Sequence, residues 1–155
     1  MRRFVLLLVC WLPVLAQAAD RYTLARILIT GSERYQQDDL MRATGLTVNA
    51  QVTADDLQNA ANRLGNSGAF SSVQFLFKPV TGPRGSVEAD FQVTDAEKFL
   101  PAVFENLVWF NESELQAALQ QDVPLYNGQL PTSGNMSDEV STALTKLLAS
   151  KNLPS

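Results

Sequence analysis

The sequence predicts an α+β fold: a β-α-α-β-β two-layer module, a three-stranded sheet with two helices on one face. Three observations predict it. Leu57, Ala60, Ala61 and Leu64 recur at helical spacing. Val73, Phe75 and Phe77, and then Val87, Ala89, Phe91 and Val93, alternate as half-buried strands do. The run RLGNSGAFSSVQFLF, Arg63 to Phe77, joins the two patterns through a glycine and an aromatic residue. The same order begins again downstream and stops before its last two strands, so the module is repeated and the second copy is incomplete.

Taken in order, Tyr22 to Thr30 forms the first strand, with Ala25, Ile27 and Ile29 on one face and Gly31-Ser32 as its turn. A short helix spans about Gln36 to Thr44, its inner face made by Leu40, Met41 and Thr44 with Tyr35 just before it. Gly45 is its C-terminal stop. Thr53 followed by Asp56 is a capping-box start for the second helix, and Gly65 to Gly68 ends that helix. The alanines in its stripe let it lie close to a sheet. TGPRGS, Thr81 to Ser86, connects the two strands that follow. In the repeat, Phe104 to Phe110 is the opening strand and Asn111 with Glu114 a second capping signature. Leu115, Ala118 and Leu119 then form one helical face, and Met136, Val140, Ala143, Leu144, Leu147 and Leu148 another. Aligning Leu64 with Leu148 sets Gly68 on Asn152. With only the strand around Leu107 to cover them, the two later helices are expected to need a partner or further chain. The chain is expected to be a fragment of a longer gene product.

Composition closes off most chemistry. The 155 residues include no histidine and one cysteine, Cys10, which excludes His-based metal sites, Ser–His triads and Cys–His pairs. A net charge of -4 gives no reason to expect nucleic acid as a partner. Residues 1–18 have the layout of a cleaved signal peptide: Arg2-Arg3, an apolar core from Phe4 to Leu15, and Ala16-Gln17-Ala18. That core is short of the roughly 20 residues a membrane span needs. The expected location is the periplasm, and the expected division is 1–18 signal peptide, 19–98 first domain and 99–155 second domain.

The motifs Ile27-x-Ile29-x-Gly31, Thr44-Gly45-Leu46 and Leu64-x-x-Ser67-Gly68-x-Phe70-x-x-Val73-x-Phe75 resemble a POTRA (polypeptide-transport-associated) domain. The run Val87-x-Ala89-x-Phe91-x-Val93 resembles that domain's last strand. The resemblance covers about Arg21 to Thr94 and, in part, Pro101 to Pro154. It implies a periplasmic module, usually in tandem before an outer-membrane β-barrel. Such modules receive unfolded polypeptides and dock assembly partners, and they are neither enzymes nor cofactor binders. No barrel-like run follows in this sequence, so membrane association is expected through a barrel that this chain does not contain. Two other roles stay open: a partner-docking domain of a cell-division or secretion protein, and a small periplasmic enzyme or ligand-binding protein.

The mechanism open to such a sheet is strand addition. The resemblance places the receiving edge at about Ser72 to Lys78. On this reading the outward residues Ser72, Gln74, Leu76 and Lys78 are the polypeptide-binding positions, Lys78 doubling as a guard against aggregation. Val73, Phe75 and Phe77 are assigned to the core. Proline at Gln74 is expected to abolish peptide binding and spare the fold. The pairs Asp38-Asp39 and Asp55-Asp56 are read as helix-start acids, and one of Trp109 and Phe110 as a core residue.

Overall fold

Backbone hydrogen bonding in a computed structural model assigns the elements over residues 20–153, residue 106 apart. The expected signal peptide, residues 1–18, lies outside the described residues. In chain order the elements are β1 (Tyr22–Thr30), α1 (Gln37–Thr44), β2 (Gln51–Val52), α2 (Ala54–Asn66), β3 (Phe70–Pro79) and β4 (Ser86–Asp95). They continue with β5 (Phe99–Pro101), α3 (Glu112–Asp122), β6 (Gln129–Pro131) and α4 (Met136–Ser150). The first sheet has the order β2-β1-β4-β3, with β1 parallel to β4 and β3 antiparallel to it. The expected three long strands and two helices are all present. The two-residue β2, which pairs antiparallel with the start of β1, was not legible at that length.

Two of the helices, α2 and α3, start where their capping boxes say. Thr53 Oγ1 accepts the Asp56 amide at 3.2 Å, and Asp56 Oδ2 accepts the Thr53 amide at 2.8 Å. Asn111 and Glu114 repeat the arrangement at α3. The bonds from the Thr53 backbone and then its hydroxyl hold the Asp56 carboxyl below its ordinary value. A depressed carboxyl contributes its stability above about pH 4, and that contribution fades as pH falls through the lowered folded value. Thr53→Ala is expected to cost about 1 kcal/mol at pH 7 by urea unfolding, and measurably less in acid.

The core of the first unit lies between the sheet and α1–α2. Leu57, Ala60 and Leu64 of α2 are fully buried in one cluster with Ala89 and Phe91 of β4 and Leu24 and Ile29 of β1. One expected inward residue is corrected. A bulge between Leu24 and Arg26 shifts the phase of β1, so Leu24 turns inward and Ala25 faces solvent.

The second unit repeats the order strand–helix–strand–helix, and β5 pairs antiparallel with β6 as β1 does with β2. Asn152 carries a positive φ of 56° two residues past α4, the place Gly68 takes after α2. No counterpart of β3–β4 follows among the described residues. The opening strand, however, is Phe99–Pro101 and not Phe104–Phe110. Phe104, Leu107 and Phe110 are half-buried at intervals of three, a spacing that one strand face cannot present, and Phe110 N–H bonds Leu107 O in a turn. The expected lack of cover is corrected too. Leu119, Tyr126, Met136 and Val140 are all nearly inaccessible, in a cluster continuous with the first core.

The two units meet at a backbone-to-backbone joint. Gly68 and Gly134 have φ of 76° and 87°, and a Cβ on Gly68 would lie 2.6 Å from Ser133 C and 3.0 Å from Gly134 Cα. Asn135 N–H donates to Asn66 O at 2.9 Å beside them. Across the joint, the Arg34 guanidinium lies 3.8 Å over the Phe99 ring and donates to Gln129 Oε1. Gln120 Nε2 donates to Asp39 Oδ2 at 3.3 Å.

Candidate functional site

β3 ends the strand order, so one of its edges meets no other strand among the described residues. The direction in which each backbone group points follows from the ladder. Val80 N–H bonds Ser86 O at 3.0 Å and Ala96 N–H bonds Ala69 O at 2.9 Å, so even-numbered β4 positions bond toward β3. Thr23 N–H bonds Gly85 O at 2.9 Å, which puts the odd-numbered side of β4 toward β1. With the register Gln74↔Gln92, Leu76↔Asp90 and Lys78↔Glu88, antiparallel alternation turns the backbones of Ser72, Gln74, Leu76 and Lys78 toward β4. Those of Val73, Phe75 and Phe77 point to the free edge. Pro79 falls in the same set, where a missing N–H breaks no ladder bond.

This changes the roles expected from sequence. The side chains of Ser72, Gln74, Leu76 and Lys78 are exposed on the outer face of the sheet, as expected, with Leu76 at 50%. Their backbone groups do not reach the edge. Proline at Gln74 would delete a β3–β4 bond and so strike the fold it was expected to spare. Val73, Phe75 and Phe77 pack on the core only in part, and no strand lies along their edge side among the described residues. Their amides and carbonyls are the groups available for pairing. The parity of Pro79 was the sequence signal for this, because a proline inside a strand marks which residues face the open side.

The opposite edge is less accessible. Leu24 N–H and O bond Ala50 O and Asn49 N–H, and Gln37 Nε2 donates to Ile29 O at 2.7 Å. On the outer face, Lys78 does not stand free. It lies 3.0 Å from Glu88, which Arg26 also reaches at 3.3 Å, so a buried acid ties the three long strands together.

Of the remaining polar and aromatic candidates, Asp56, Asp39 and Phe110 have structural roles. Asp56 caps α2, and Asp39 pairs with Arg42 at 2.6 Å and accepts from Gln120. Among the described residues no group of acids is placed to hold a metal ion. Phe110 packs on the core and Trp109 is 45% exposed.

Residues 22–96 match the family model of the POTRA domain, described as a surface antigen variable number repeat. No curated protein sequence matches the chain. Among solved structures, the N-terminal domain of Omp85 from the thermophilic cyanobacterium Thermosynechococcus elongatus is similar at 13% identity and a TM-score of 0.44. That match covers 85% of this chain and 52% of that one. POTRA domains 1–3 of the periplasmic domain of Omp85 from Anabaena align at 17% identity and a TM-score of 0.47, covering 86% of this chain and 52% of that one. The Anabaena pair of domains 1–2 aligns at 16% and 0.44, covering 86% and 80%. The chain thus spans about half the length of the first two.

Proposed function

Because residues 22–96 form a POTRA domain, we propose that this chain is a periplasmic polypeptide-binding and docking module of an outer-membrane protein assembly or translocation protein. Its two units, 19–98 and 99–155, follow an exported leader at 1–18. One observation carries the reading: among the described residues β3 is an open edge, and its backbone groups at Val73, Phe75 and Phe77 face outward over a half-buried apolar strand. An extended polypeptide pairs there through its own backbone, which places little demand on its sequence.

The expected affinity is low. Each backbone bond adds roughly 1 kcal/mol net, and a handful of them must offset the ordering of the peptide. The product is a transient contact near the millimolar range, suited to passing a chain onward. The role is binding, with no chemistry performed on the polypeptide.

The test is Val73→Pro. The lost N–H is one that faces the open edge, so the β3–β4 ladder stays intact. Thermal unfolding is expected to stay cooperative, while an extended apolar-alternating peptide no longer shifts the amide resonances of β3. A Val73→Pro protein that binds such a peptide as well as the parent does would overturn the assignment of the edge.

A further inference from the structure

The outer face of the first sheet holds an acid that makes no ion pair among the described residues. Side chains on this face form rows across β1, β4 and β3. The first row is Arg26, Glu88 and Lys78, and both cations are committed to Glu88. The next is Leu28, Asp90 and Leu76. Leu28 and Leu76 are 36% and 50% exposed, and between them Asp90 is half-buried, its Oδ1 shielded from solvent and without a hydrogen-bond partner among the described residues. A carboxylate oxygen set between two leucines without a donor is poorly satisfied, although the rows on either side are polar. It gains most from a cation brought by something else.

A strand added to β3 delivers one. Its outward side chains extend the same rows, one of them beside Leu76. That position lies two strand spacings from Asp90, about 10 Å. A lysine or arginine there can lay its aliphatic stem along Leu76 and set its charged head at the Asp90 carboxylate. A short polar residue stops at Leu76, and an acid is repelled. We propose that Asp90 is a specificity-determining residue of the β3 edge, selecting extended polypeptides that carry an outward basic side chain in the Leu76 row. This rests on strand addition at β3 and adds a sequence preference to it.

The test uses three synthetic peptides of alternating apolar and polar residues that differ at one outward position: arginine, glutamine or glutamate. Binding to the full chain is followed by amide NMR titration. The arginine peptide is expected to bind about tenfold tighter than the glutamine peptide, with glutamate weakest. Asp90→Asn, which removes no internal partner, is expected to lower arginine-peptide affinity to the glutamine level and leave the glutamine peptide unchanged. Equal binding of the arginine and glutamine peptides at β3, or a preference that survives Asp90→Asn, overturns the role of Asp90 and leaves strand addition standing. Absence of β3 shifts with all three peptides overturns strand addition, and this inference with it.

Discussion

Phe91→Ala is expected to lower the free energy of unfolding by about 3–5 kcal/mol, measured by urea titration. Phe91 is fully buried at the middle of β4, a strand paired on both sides. Its ring stacks on Phe75 at 5.8 Å and 25° between planes, beneath the α2 stripe. Truncation removes those contacts and leaves a cavity that cannot collapse, since β1 and β3 fix the position of β4 from either side. Against a total stability of roughly 5–15 kcal/mol for an ordinary domain, the loss is a large fraction. Phe91→Leu keeps part of the volume and is expected to cost well under half as much. A loss under about 1 kcal/mol for the alanine variant would mean that β4 is not the centre of this core.

Gly68→Ala is the second large effect, with an expected loss of ~2–4 kcal/mol. Two penalties coincide. A φ of 76° is strained for an L residue with a Cβ, and that Cβ would collide with the carbonyl of Ser133 in the other unit. The neighbour is backbone and cannot swing aside. The strand must shift or the joint must open, and opening breaks the Asn135–Asn66 bond and uncovers Met136, now fully buried. The second unit of the variant is therefore expected to become protease-sensitive ahead of the first. Gly65→Ala serves as the control, because nothing lies within 4 Å of a Cβ there. It should be neutral or slightly stabilising, since alanine is the better helix former. Equal protease resistance of the Gly68→Ala and Gly65→Ala proteins would remove the joint from the account.

The legible parts of this fold were those written in local periodicity and local chemistry. Thr53 with Asp56 and Asn111 with Glu114 mark helix starts within a few residues of themselves, and Leu57 to Leu64 mark a face within a few turns. What depends on distant residues was less legible. The bulge after Leu24 follows from how β1 meets β4, and no alternation in YTLARILIT announces it. Phe104 to Phe110 is rich in strand-forming residues, yet its inward positions are set by a turn leading into the α3 cap. At the candidate edge, outward side chains could be read from alternation. The direction of the backbone groups needed the β3–β4 register, to which Pro79 was the only local clue. Asp90 was invisible for the same reason, since its isolation depends on Glu88 taking both Arg26 and Lys78.

The parallel ladder between β1 and β4 also governs when this sheet can form. Thr23 must wait for Ser86, and Thr30 for Gln92, while the nearer partner β2 offers only two residues. Closing a loop of that length comes before any of its contacts are gained, so refolding is expected in milliseconds to seconds, without a fast early phase from β1. Until β4 has been synthesised, β1 has almost nothing to pair with. For a chain exported as proposed above, that delay would keep the strand that starts the domain from locking until its partner strand has arrived.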